Sequence, residues 1–143
     1  MRFYYVFFLL FMLTSGISAQ HKIIINVSNV RSDKGRILLS LFNNATGWPG
    51  DLSKTFKQVI FPVKDGKAHY VFENMPTGNY AIAIMFDENN NEEMDYTFLH
   101  FPKEGYGFSN NVMGTFGPPS FKEAVFKVNT DTPVALKLKY WNK

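Results

Sequence analysis

Met75-Pro76-Thr77-Gly78-Asn79-Tyr80-Ala81-Ile82-Ala83-Ile84-Met85-Phe86 runs without a break into Asp87-Glu88-Asn89-Asn90-Asn91-Glu92-Glu93-Met94-Asp95. The first part opens on a turn signal, Pro-Thr-Gly, and then alternates. Tyr80, Ile82, Ile84 and Phe86 share one face, and Ala81, Ala83 and Met85 share the other. Side chains that repeat every second residue belong to a strand, because successive Cβ atoms point to opposite faces of a sheet. The second part abandons periodicity for oxygen-bearing side chains. Strand and acidic loop therefore adjoin, and the rest of the chain is read outward from that junction.

Upstream, Ile23, Ile25 and Val27 alternate with Lys22, Asn26 and Ser28, although Ile24 breaks the polar face. Asp33-Lys34-Gly35 reads as a hairpin turn into residues 36–42, where Ile37, Leu39 and Leu41 align. Residues 56–63 form the next strand, Asp65-Gly66 turns it, and residues 67–73 return. Downstream, residues 124–128 and 134–140 are two further strand candidates. About seven short strands with turn signals and no long helical pattern predict an all-β fold, a single Ig-like β-sandwich. No internal repeat and no disordered tail interrupts it.

The chain opens with Arg2, an apolar run over residues 3–13, and Ile17-Ser18-Ala19 ahead of Gln20. That order matches an export signal over residues 1–19, leaving 20–143 as the mature domain. The apolar run is too short for a membrane-spanning helix. The protein is expected in the periplasm, on the cell surface or outside the cell. The net charge is only +3 over 143 residues, and the basic residues are scattered. Nucleic acid is therefore not an expected partner. With no cysteine in the chain, neither disulfides nor thiol chemistry is available.

Between Phe86 and the strand near Phe121 lies a long connection, residues 87–120, with little periodicity. A structureless insert of that length in a compact domain is usually either functional or misread. Tyr96, Phe98, Phe101, Tyr106, Phe108 and Phe116 make it aromatic, unlike a disordered segment, so an ordered loop is expected. Phe98, Phe101 and Phe116 lack a polar handle and are expected to form a small core beneath it. Trp48, Tyr96, Glu104, Tyr106 and Asn110 are the expected ligand-binding residues, with rings, a carboxylate and an amide to offer a small molecule, glycan or protein.

At the start of that loop Asp87, Asn89 and Asn91 stand at alternate positions, and Asp95 follows. Hard cations take six to eight oxygens, and a tightly wound loop brings alternate residues to one centre. Asp87, Asn89, Asn91 and Asp95, with the Glu93 carbonyl, form the expected metal set, and Ca2+ is the expected ion. Two features of the standard loop are missing. Glu92 stands where a glycine makes the sharp turn, and Phe98 stands where a bidentate Glu closes the site.

Three separated motifs extend the picture: the Phe86–Asn91 run, Pro102-Lys103-Glu104-Gly105-Tyr106-Gly107-Phe108-Ser109-Asn110-Asn111, and Phe116-Gly117-Pro118-Pro119-Ser120-Phe121. With the Met75–Ala81 turn, they resemble the bacterial exported family called domain of unknown function 2141. The resemblance implies an exported sandwich with an acidic loop and carries no established activity. The family pattern His-Asp-Glu-Asn-x-Asn-Gly-x-x-Asp is departed from at Phe86, in place of the His, and at Glu92, in place of the Gly. The Pro-Thr-Gly-Asn-Tyr turn is also similar to transthyretin-like and carboxypeptidase-regulatory sandwiches, a likeness of fold only.

Catalysis has few materials. Of the three histidines, only His100 lies in the long loop, where Glu104 and Asp95 would be its acid-base partners. Ser109 and Ser120 lack a nucleophile-elbow context, and no phosphate-binding glycine loop is present. The expectation is a non-catalytic binding or structural module of unknown ligand. The alternative is a small hydrolase working from His100 and Glu104.

Overall fold

A computed structural model describes residues 19–141. The expected export signal, except for its last residue, lies outside them. The described chain forms β1 (Gln20–Ser28), β2 (Arg36–Phe42), β3 (Lys57–Pro62), β4 (Ala68–Pro76), β5 (Gly78–Asp87), β6 (Gly105–Phe108), β7 (Phe126–Val128) and β8 (Thr132–Lys137), with one helical turn, α1 (Phe121–Ala124). Two sheets face each other as a sandwich. One has the order β4-β1-β8, and the other runs β3-β2-β5-β6 with β7 also on β5. The strand β1 pairs antiparallel with β4 and parallel with β8.

The alternation seen in the sequence is what closes the sandwich. Ile23, Ile25 and Val27 of β1 are buried, with Val134 and Leu136 of β8 on the same sheet. They meet Ile37, Leu39 and Leu41 of β2 and Tyr80, Ile82, Ile84 and Phe86 of β5 in one core. Each such side chain contributes roughly 1.5–3 kcal/mol when withdrawn from water. At the corner between β4 and β5 a single residue, Thr77, carries the chain from one sheet to the other. Tyr80 holds that corner: its ring is buried and its hydroxyl donates to the Pro76 carbonyl at 2.8 Å.

Five expectations differ in the structure. Asp33-Lys34-Gly35 does not close a hairpin, because β1 and β2 lie in different sheets. Gly35 serves a close approach instead. It has φ +110°, and a Cβ there would stand 2.5 Å from the Asp87 carbonyl oxygen. Asp65-Gly66 does make the tight turn expected, between the bridged residues Lys64 and Lys67, but β3 and β4 then diverge into separate sheets. Ala124 ends α1 rather than opening a strand. Ser120 and Glu123 form a reciprocal capping box there, which starts a helical turn at the place where alternation had suggested extension.

The fourth correction concerns the long connection, which contains β6 and so raises the strand count to eight. Gly105-Tyr106-Gly107-Phe108 escaped notice because two glycines hide the period. β6 pairs with residues 83–86 of β5, and β7 pairs with residues 78–80 on the same edge. Between them the Ile82 N–H lacks a strand partner. Ser109, fully buried, supplies one: its Oγ accepts from Ile82 N at 2.9 Å and donates to the Ala124 carbonyl at 2.5 Å.

The expected aromatic core under the loop is also differently composed. Phe98 and Phe116 are fully exposed at 102 %, while Phe101 is half-buried against Trp141. The actual cluster gathers Phe42, Phe108 and Phe121 around Trp48, with ring centroids 5.3, 5.8 and 5.9 Å away. The indole N–H donates to the Pro119 carbonyl at 2.8 Å. The loose stretch around Trp48 and the long loop therefore do meet, through this ring.

Candidate functional site

The acidic loop is built across the ends of β2 and β5, where Arg36 and Asp87 are directly opposite in the ladder. Asp87 is fully buried. Its Oδ1 accepts from Asn91 N at 3.1 Å, and its Oδ2 accepts from Glu92 N at 3.1 Å and from Arg36 Nε at 3.2 Å. A carboxylate with three donors at this depth holds the loop from beneath. Arg36 reaches onward to the Glu92 carboxylate at 3.0 Å and the Asn90 carbonyl at 3.3 Å.

Above Asp87 the asparagines continue the winding. Asn89 Oδ1 accepts from Asn91 N at 3.2 Å, and Asn91 Oδ1 accepts from Glu93 N at 3.0 Å. Both side-chain amides donate to Asp95 Oδ2, at 2.6 Å from Asn89 and 3.4 Å from Asn91. Glu92 has φ 63°. It therefore makes the left-handed turn that a glycine makes more readily. Asn89 and Asn91 thus meet at Asp95, while Asp87 lies beneath them on the Asn91 and Glu92 amides. Among the described residues, no group of three or more His, Cys, Asp or Glu side chains converges in a way that would hold a metal ion. The remaining oxygens are amides and carbonyls.

Glu104 is the second buried carboxylate, and it closes the loop. Its Oε1 accepts from Glu88 N at 3.1 Å and its Oε2 from Asp95 N at 3.3 Å, so one side chain clasps both ends of the acidic turn. Burial pushes its pKa up, opposed by those two amides and reinforced by the nearby Asp95 and Asp87 charges. Arg31 braces the outside. It pairs with Glu88 at 2.6 Å, donates to the Lys103 carbonyl at 3.0 Å, and lies over the Tyr140 ring at 4.5 Å.

The other expected ligand residues are dispersed. Tyr96 stacks on His100 at 4.9 Å, and Tyr106 is half-buried on β6, bridged through its backbone to Lys139. Asn110, with φ 60°, donates from its amide to the Glu123 and Val125 carbonyls at 3.0 and 2.9 Å. It thereby braces α1. Trp48 belongs to the aromatic cluster described above. A surface groove of about 640 Å³ opens elsewhere, lined by residues that include Asn26, Lys64, Lys67 and His69 and by none of the expected site residues.

Arg31, Arg36 and Ser109 are the residues that sequence reasoning missed as parts of this region. Only Arg36 carried a signal, as a charge placed at the very start of an apolar strand.

The geometry can be set beside known proteins. Residues 25–135 match the model of a family described as "Uncharacterized protein conserved in bacteria (DUF2141)". The chain belongs to the DUF2141 family. The match runs from the second half of β1 through most of β8, and so includes the acidic loop, Glu104 and β6. No curated protein and no solved structure matches the chain. In this DUF2141 chain, Phe86 is fully buried in the core and Glu92 pairs with Arg36. Among the described residues, no helix is long and apolar enough to cross a membrane.

Proposed function

We propose that this chain is an exported, non-catalytic binding or structural module of bacteria whose acidic loop takes up calcium. The observation that carries the calcium reading is the ladder of side-chain oxygens onto successive amides. Asp87 caps residues 91 and 92, Asn89 caps 91 and Asn91 caps 93, with Glu92 in the left-handed turn. An amide or carboxylate oxygen that accepts one hydrogen bond keeps a second lone pair for a cation. Asp87, Asn89, Asn91, Asp95 and the Glu93 carbonyl would hold the ion, an all-oxygen set suited to a hard cation. The non-catalytic reading is supported by Glu104, whose two oxygens are already engaged by backbone amides, and by His100, stacked on Tyr96.

Thermal unfolding of the mature protein in excess chelator, then in calcium, tests the ion. At a hundredfold excess over Kd, about 2.7 kcal/mol of stabilisation is expected, or roughly 8 °C for a domain of this size. Magnesium should give less, and Asp95→Asn should remove most of the rise. An unchanged Tm in millimolar calcium refutes the reading. Export is tested by mass spectrometry of the protein recovered from cells: a mature N-terminus at Gln20 is expected, and a retained Met1 overturns it.

A further inference from the structure

Beyond the acidic loop, residues 95–103 form a small hairpin whose tip contradicts its surroundings. Lys103 N donates to the Asp95 carbonyl at 2.9 Å, Tyr96 bridges Pro102, and Thr97 N donates to the Phe101 carbonyl at 2.8 Å. His100 N closes the end on the Thr97 carbonyl at 2.9 Å, which places Phe98 and Leu99 at the two central positions of a β-turn. Phe101 N is taken up by Thr97 Oγ1 at 3.1 Å. Turn centres are normally Gly, Asn, Asp or Ser. Here they are a phenylalanine exposed at 102 % and a leucine at 71 %. Neither the turn nor the core gains from them.

We propose that this hairpin is a membrane-surface anchor that inserts Phe98 and Leu99 into the headgroup boundary of a lipid bilayer. Three observations favour lipid as the occupant. The tip is convex and two residues wide. A specific protein interface needs on the order of 1,200 Å² or more, whereas two side chains supply a few hundred. The N–H groups of Thr97, His100, Phe101 and Lys103 are bonded within the hairpin, so the arm holds a formed turn, and the open backbone groups of Phe98 and Leu99 stay at headgroup depth, where water reaches them. Behind the tip stands an aromatic collar: Tyr96 on His100, and Phe101 stacked on Trp141 at 4.1 Å with the rings 8° from parallel. Tyr96 and Trp141 are of the ring types that settle at a membrane–water boundary, with Phe101 packed on the indole. The charges at the base, Asp95 and Lys103, are opposite in sign, so the arm itself carries no strong preference for anionic lipid.

The test is co-sedimentation of the full mature protein with extruded vesicles of phosphatidylcholine and phosphatidylethanolamine. Chelator is present throughout, so the outcome is independent of the calcium reading. The unaltered protein should partition onto the vesicles, and Phe98→Ser with Leu99→Ser should weaken that partitioning at least about tenfold. Ile60→Ser, which removes an exposed apolar side chain on β3 (45 % exposed), should leave it unchanged. Phe98→Trp should give an emission that moves to the blue when vesicles are added. Absence of partitioning overturns the proposal, as does equal partitioning of the double variant or an equal loss on Ile60→Ser. A lipid-free oligomer that the double variant dissolves also overturns it, because a second copy of the chain would then be the occupant.

Discussion

Replacing Asp87 with Asn keeps the shape of the side chain and removes its charge. The carboxylate is fully buried and accepts from Asn91 N, Glu92 N and Arg36 Nε. The amide has one oxygen, so at least one of these donors must face an NH2 group. A hydrogen bond to a charged group contributes roughly 1.5–3 kcal/mol, and breaking a buried ion pair costs about 3–5 kcal/mol. Two features lower the expectation. Arg36 retains Glu92 and the Asn90 carbonyl, and the exposed loop can relax. About 3 kcal/mol remains as the expected loss. The assay is urea unfolding followed by tryptophan fluorescence at neutral pH. With a slope of about 1.5 kcal/mol per molar for a domain of this size, the midpoint should fall by about 2 M. Glu93→Gln, at an exposed side chain, should stay within about 0.5 kcal/mol of the parent. A cycle with Arg36→Gln should show coupling of at least about 1 kcal/mol, since the two side chains touch. If Asp87→Asn loses less than about 1 kcal/mol at an unchanged slope, the carboxylate does not hold the loop and the account of the site is wrong.

Two further outcomes follow from the buried polar groups. Ser109→Ala strands the Ile82 N–H and the Ala124 carbonyl inside the protein. A loss of about 2–4 kcal/mol is expected by denaturant unfolding, and a loss below about 1 kcal/mol would mean that β6 and β7 close the gap without it. For Glu104 the sign follows from its raised pKa. The folded state binds the proton more tightly than the unfolded chain, so this group's contribution is full at low pH. It declines as pH rises through the unfolded value near 4.5 towards the folded one. Unfolding free energies of the parent relative to Glu104→Gln, measured between pH 3.5 and pH 7, should therefore fall with rising pH; a rise would show that the two amides outweigh desolvation.

Much of the sandwich was legible because burial writes a period of two into a strand. Ile23-Ile25-Val27, Ile37-Leu39-Leu41 and Tyr80-Ile82-Ile84-Phe86 announce both the strands and their inward faces. The Ser120–Glu123 capping box was equally local, yet the alternation around Ala124 obscured it. β6 was not legible, since Gly105 and Gly107 carry no side chain to mark a face. The spacing of Asp87, Asn89, Asn91 and Asp95 marked a wound, oxygen-rich turn, in which Asn89 and Asn91 donate to Asp95. It could not foretell that Asp87 would turn inward, because its partner Arg36 lies on another strand.

What the sequence determined alone was therefore the periodic strands with their inward faces, the family through its separate motifs, and the position of the acidic loop, each read from residues close together in the chain. Only the tertiary structure decided which sheet each strand joins, so Asp33-Lys34-Gly35 became a crossing between sheets instead of a hairpin. It also decided that Trp48 packs while Phe98 stands in solvent, and that Glu104 clasps the two ends of the acidic turn. Each of those outcomes depends on a partner far away in the chain, and local spacing carries no information about that register.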